Sequence, residues 1–319
     1  MAVYTDLGFE DLQGLLAGYE IGTPLTFKGI AEGVENSNFY LQTDRGAFIV
    51  TLYEKRVRTD DLPFFLGLME HLAQRGISCP LPVRARNGDQ SFILKGRSGA
   101  ILTFLNGVSL RKPEAAHCAA AGRALAELHR AGHDFALKRA NALGSEGWRE
   151  LANATRAHAD AVEHGLSRLI GSALTELTKN WPSDLPAGVI HADLFPDNVL
   201  FMQENVSGLI DFYFACDDMF AYDLAVALNS WCFEPDGAYN ITKSKALIAA
   251  YQAGRALTQK EAAALPLLMQ GAALRFLLTR LYDWINPDPN ALVRPKDPRD
   301  YAKRLRFHLK VKQASEYGL

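Results

Sequence analysis

Cysteine is scarce in this chain: four in 319 residues, Cys79, Cys118, Cys216 and Cys232. None stands in C-x-x-C spacing, so reduced thiols and a cytoplasmic location are expected. The N-terminal "MAVYTDLGFEDLQGLL" lacks the basic start and apolar run of a signal peptide. Apolar stretches such as "GAALRFLLTRLYDW" carry charges and fall short of the ~20 residues a membrane span needs, so no membrane partner is expected. An excess of charge of one sign is missing too. With 34 basic and 36 acidic residues the formal net charge is −2, which leaves no global positive field to gather nucleic acid or anionic lipid. A small-molecule partner is the expectation that remains. There is no internal repeat, no G-x-S-x-G elbow and no P-loop. His129 and His133 are four apart, but Gly132 separates them at a helix end and no acidic or cysteine ligand accompanies them, which argues against zinc.

What is present suits a large core: 48% of residues are hydrophobic and 22% charged, enough for one large domain or two lobes. Short β-type runs dominate the first third: "TPLTFKGI", "SNFYLQT", "GAFIVTLY", "SFILKG" and "GAILTFL", with turn signals "TDRG" and "RNGD" between them. One helical pattern interrupts them, "DDLPFFLGLMEHLAQRG", which Asp60 or Asp61 can cap and Gly76 can end. The character changes near residue 107, giving expected domains of 1–105 and 106–319. The helix "KPEAAHCAAAGRALAELHRAG" has Pro113 near its start and Gly132 as its stop, and amphipathic segments follow at 147–180, 239–254 and 258–285. The Pro-rich "INPDPNALVRPKDP" reads as a loop before a terminal helix. The basic run Lys296–Lys312 reads as a solvated helix face.

Within the helical part lies a β island, "VIHADLFPDNVLFMQENVSGLIDF" at 189–212. Here "VIHAD" reads as a strand ending in a loop, "NVLFM" as a strand, "QENVSG" as a turn and "LIDFYF" as a third strand. Carboxylates then converge at strand ends. Like charges so close raise one another's pKa and destabilise the fold unless cations sit among them. A divalent metal resolves the conflict, and magnesium takes one or two carboxylates together with phosphate oxygens and water. The spacing is specific as well: His191, Asp193 and Asn198 form H-x-D-x-x-x-x-N, and Asp211 follows where kinases carry the aspartate of D-F-G.

On these motifs the chain resembles the aminoglycoside phosphotransferase branch of the protein kinase-like fold, and within it the homoserine kinases of bacterial threonine synthesis. The resemblance runs through "EGVENSN", "GISCPLPV", "LNG", "LAELH", "HADLFPDNVLF", "GLIDF" and "AYDLAVAL". It implies an α+β, bilobal fold with a small antiparallel β-sheet lobe carrying one main helix and a larger, mostly helical lobe. It implies ATP and Mg2+ as cofactors and L-homoserine as the small-molecule substrate, and it leaves the oligomeric state open. By the same resemblance Asp193 is the catalytic base, Asn198 and Asp211 are catalytic as the magnesium ligands, and His191 and Asp223 brace the loop. Adenine is expected against the backbone near Thr103 and Leu105.

The phosphate-binding side departs from the kinase pattern. "AEGVENSN" has a single glycine, so the expected cradle is the backbone from Gly33 to Ser37 with the side chains of Asn36 and Ser37, against a plain β-turn as the alternative. Thr51 occupies the position of the phosphate-gripping lysine, and Phe64 or Phe65 that of its glutamate partner; Lys28 or Lys55 are possible substitutes. For the substrate carboxylate, Arg275 and Arg280 on a largely apolar helix are candidates, against an internal salt bridge with Asp283 or Asp223. Alternative acceptors are choline or ethanolamine, methylthioribose or an aminoglycoside. A non-catalytic nucleotide-binding scaffold is the alternative of a different class.

Overall fold

The computed structural model describes residues 5, 7–30, 36–54, 57–287 and 295–319. These fall into two compact units, one running to Asn106 and the other from Gly107 to Asn286 and from Pro295 to Leu319. An α+β architecture follows.

In the first unit the elements are α1 (Phe9–Leu16), β1 (Pro24–Gly29), β2 (Asn36–Thr43), β3 (Gly46–Tyr53), α2 (Leu62–Gln74), β4 (Phe92–Leu94) and β5 (Arg97–Thr103). The strands form one antiparallel sheet in the order β1-β2-β3-β5-β4. Alternation along β2 buries Phe39 and Leu41, which meet Val50, Leu52 and Ile101 of the neighbouring strands and Leu12 and Leu16 of α1 in one core. Helix α1 was not anticipated from the sequence. α2 ends at Gln74 with Arg75 as its C-cap, and Gly76 beyond it at φ 85° is a left-handed stop that costs glycine nothing.

The second unit comprises α3 (Ala115–Ala131), α4 (Ser145–Val162), α5 (Leu166–Asn180), β6 (Ala187–Ile190), β7 (Val199–Met202), β8 (Asn205–Leu209), β9 (Cys216–Met219), α6 (Phe220–Trp231), α7 (Ile241–Gly254), α8 (Gln259–Ile285) and α9 (Arg299–His308). Glu163 to Gly165, the last in left-handed geometry, divides the expected 147–180 segment into α4 and α5. α3 lies close along α7: a Cβ on Gly122 would stand 2.3 Å from the Leu247 carbonyl oxygen, so this contact requires glycine. The apolar stretch read as too short for a membrane span belongs to α8, an unbroken helix of 27 residues. Among the described residues it is the one helix long and apolar enough to cross a bilayer, and 67% of its apolar window is buried against neighbours that include α4, α5, α6 and α9. All four cysteines are buried thiols.

Two sequence readings need correction. The third strand of the β island is Asn205–Leu209, not "LIDFYF", because Gln203 (φ 56°) closes the turn with Glu204 and lets the chain pair back at once. The strand after the aspartate is β9, which pairs with β6 instead. The basic C-terminal run is also less solvated than expected: Arg304 donates to the Asn229 carbonyl and Arg306 pairs with Glu163, while Lys303 and Lys310 remain exposed.

Candidate active site

The site in the second unit is built where β6 stops. After Ile190 the chain passes through His191, Ala192 and Asp193 and then a 3-10 turn at Pro196–Asn198 that leads into β7. The buried Asp223, in the first turn of α6, accepts the backbone N–H groups of His191 and Ala192, both at 2.8 Å. It also accepts from Nε2 of the buried His129 at 3.0 Å. Burial alone would raise its pKa, but the hydrogen bond from His129, the neighbouring histidines and the His191 N–H outweigh that, and the carboxyl is held below its usual range. His129 Nδ1 faces the Tyr251 hydroxyl at 2.8 Å, so the imidazole is neutral, kept so by burial, with its proton on Nε2.

Three further anchors fix the loop. Leu194 gives its carbonyl oxygen to Trp231 Nε1 at 2.8 Å and to Ser230 Oγ at 3.2 Å. His191 Nε2 donates to the Ile210 carbonyl at 3.0 Å, and the Ile210 N–H donates to the Asn198 carbonyl at 3.0 Å, so β8 delivers Asp211 beside Asn198. Asp211 itself takes φ 64°, ψ 62°, turning the chain sharply before a 3-10 turn at Phe212–Phe214. Asn198 Nδ2 donates to the Asp193 carbonyl at 2.8 Å and to Asp193 Oδ2 at 3.1 Å. Burial pushes the Asp193 carboxyl up from its ordinary value, against the opposing pull of Arg275 and His191.

With Nδ2 spent on Asp193, the atom that Asn198 has left for a cation is its amide oxygen. That oxygen and the Asp211 carboxylate make a hard, oxygen-only donor pair, which fits a divalent ion completed by phosphate and water. Among the described residues no cluster of three or more His, Cys, Asp or Glu is placed to hold a metal.

Several expected site residues are placed differently. Arg275 is 1% exposed and donates through Nη1 to the Ala192 carbonyl, with its guanidinium over the rings of Phe276 and Phe214. It sits beneath the loop with Nη1 on that carbonyl and its buried Nε without a hydrogen-bond partner, and this burial closes it off from a substrate carboxylate. Arg280 lies 4.5 Å from the Tyr301 ring centroid and 3.6 Å from Asp300, an internal pairing but with a different aspartate from the two anticipated.

In the first unit, Gly33 and Lys55 lie outside the described residues. Asn36 and Ser37 begin β2 and are buried, and the Ser37 hydroxyl donates to Glu54 at 2.6 Å, which takes it away from any phosphate. Thr51 is buried with its hydroxyl on Asn38 Oδ1 at 2.8 Å, and Phe64 and Phe65 are buried in α2. Lys28 is exposed, its Nζ 5.6 Å from the Tyr40 ring centroid. The Thr103 N–H donates to the Leu81 carbonyl, so it has no N–H to give an adenine; Leu105 is half-buried. Trp231 and His129 as supports of the loop were missed, since nothing in their local sequence links them to residues so far along the chain.

The phosphotransferase enzyme family model matches residues 26–257, and the chain belongs to that family. Among curated relatives, the homoserine kinase of Xanthobacter autotrophicus is 61% identical over 319 residues, covering 100% of this chain and 99% of that protein. The homoserine kinase of Rhizobium meliloti is 58% identical, covering 100% and 98%. Among solved structures, amicoumacin kinase hAmiN in complex with AMP-PNP, Ca2+ and Ami superposes with a TM-score of 0.71 at 14% identity, covering 97% of this chain and 95% of that one. That likeness is one of fold, and the fold is the protein kinase-like one anticipated from the motifs.

Proposed function

We propose that the protein phosphorylates the side-chain hydroxyl of L-homoserine with ATP, yielding O-phospho-L-homoserine and ADP, a step of threonine biosynthesis. The observation that carries this is full-length identity of 58–61% to homoserine kinases. Asp193 is the base: its carboxylate orients the attacking hydroxyl and takes its proton as the oxygen–phosphorus bond forms and the bond to the β-phosphate oxygen breaks. Its raised pKa suits a group that must hold that proton at the end of the step. Asn198 keeps the carboxylate aimed through Nδ2. The Asn198 amide oxygen and Asp211 would hold the divalent ion, Mg2+ in this reading, whose chemistry when bound is to neutralise charge on the ATP phosphates.

The test is a coupled assay of the purified protein with ATP, Mg2+ and L-homoserine, serine, choline, ethanolamine, methylthioribose or kanamycin in parallel. The expected result is a kcat/KM for homoserine well above all others. A clear preference for choline, ethanolamine, methylthioribose or kanamycin refutes the substrate; ATP turnover with none of the acceptors refutes the reading altogether.

A further inference from the structure

Four non-glycine residues among those described have positive φ: Lys95, Ala192, Gln203 and Asp211. Lys95 and Gln203 sit in exposed hairpin turns, where such geometry is routine. Ala192 is different: it is 1% exposed, has φ 61°, and directly precedes Asp193. The left-handed region is unfavourable for alanine, whose methyl group cannot hydrogen-bond its own backbone as an asparagine or aspartate side chain can. The conformation therefore has to be held from outside. Its N–H is held by Asp223 Oδ1 at 2.8 Å, and its carbonyl by Arg275 Nη1 from the middle of α8, 83 residues away. Arg275 is itself fixed between the rings of Phe276 and Phe214, 4.5 and 5.3 Å from their centroids.

We propose that Arg275 is a positioning residue, which clamps Ala192 in its left-handed conformation and so aims the Asp193 carboxylate at the acceptor hydroxyl. The proposal rests on the reading of Asp193 as the base. Without the guanidinium the Ala192 carbonyl would be buried and unpaired, and the peptide between Ala192 and Asp193 could turn over, relieving the left-handed geometry and carrying Asp193 with it. A glycine in place of Ala192 takes left-handed φ without penalty, so it lessens the need for the clamp.

The experiment is a double-mutant cycle of R275M and A192G, with R275K as the conservative variant, read as kcat and as KM for homoserine and ATP. R275M is expected to lower kcat at least tenfold while both KM values stay within threefold, and R275K to retain several-fold more activity than R275M. In the A192G background the same R275M change is expected to cost several-fold less than in the native one. Should R275M fail to fold, R275K in both backgrounds carries the same comparison. A tenfold or greater rise in KM for homoserine with kcat retained overturns the proposal, because the guanidinium would then be holding substrate. An equal loss of kcat in the two backgrounds also overturns it. If the native protein does not turn over homoserine, it is the proposed substrate that fails, and the cycle is read on the alcohol that is accepted.

Discussion

Asp223 is the sharpest place to test the loop architecture. Its carboxylate accepts three donors, the N–H groups of His191 and Ala192 and Nε2–H of His129, and all three residues are at most 1% exposed. Replacing it by alanine orphans all three where water cannot reach. At about 1–3 kcal/mol for each buried donor left unpaired, the loss is roughly 3–9 kcal/mol. Domains of this kind have only about 5–15 kcal/mol to lose. Asparagine is a finer probe. Oδ2 serves His129 and His191 while Oδ1 serves Ala192, so whichever way the amide is turned, its NH2 faces a backbone N–H. One donor is orphaned, at roughly 1–3 kcal/mol. At about 2–4 °C per kcal/mol for a unit of this size, Asp223→Asn should lower Tm by several degrees and Asp223→Ala by ten or more, if it folds at all. In the folded Asp223→Asn protein kcat should fall at least tenfold, because the strand-to-loop junction that carries Asp193 loses one of its pins. Thermal melts, urea unfolding and steady-state kinetics on the two purified variants measure this. An Asp223→Ala protein with native Tm and kcat within twofold of native would refute the reasoning.

Three other outcomes follow, two of them from the same site. Asp193→Ala should lower kcat by about 10²–10⁴-fold while the affinity for ATP, followed by fluorescence or calorimetry, changes little. Asp211→Asn should abolish transfer and weaken metal-dependent ATP binding while leaving Tm near native, because a metal ligand contributes to chemistry more than to folding; near-normal turnover in either variant would remove the kinase assignment. The pH dependence of stability should bear the mark of His308, whose pKa burial and the nearby Arg304 lower from 6.5 to about 3, with Asn229 Oδ1 and the Tyr317 hydroxyl as its partners. A histidine kept neutral by folding leaves the unfolded chain with more protons between those two values, so stability falls as pH drops below about 6.5, by on the order of 2 kcal/mol at pH 5. His129 and His191, lowered by burial too, act in the same direction. Melts of the native protein and of His308→Gln between pH 7.5 and 5 test this, with a flatter decline expected in the variant and an identical slope counting against it.

The order of elements was legible in the sequence wherever a local pattern carried it. The five strands of the first sheet are short β-type runs between turn residues, and His191, Asp193, Asn198 and Asp211 stand at spacings that belong to one chemistry. Helix α1 escaped because it is eight residues long, and the island's third strand was misplaced because a two-residue turn at Gln203 leaves almost no sequence signal. What no local pattern contains is the identity of partners distant along the chain. Arg275 and Asp283 share one helix and look alike as charges on an apolar background, yet which acceptor Arg275 meets depended on the packing of α8 beneath the β6 loop, and that acceptor is a backbone carbonyl. Ser37 could serve a phosphate as well as Glu54 until the β2–β3 register set it beside the carboxylate. Hydrogen bonding is short-ranged and directional, so the sequence specifies which groups must find partners, and only the tertiary fold decides which partner each one finds.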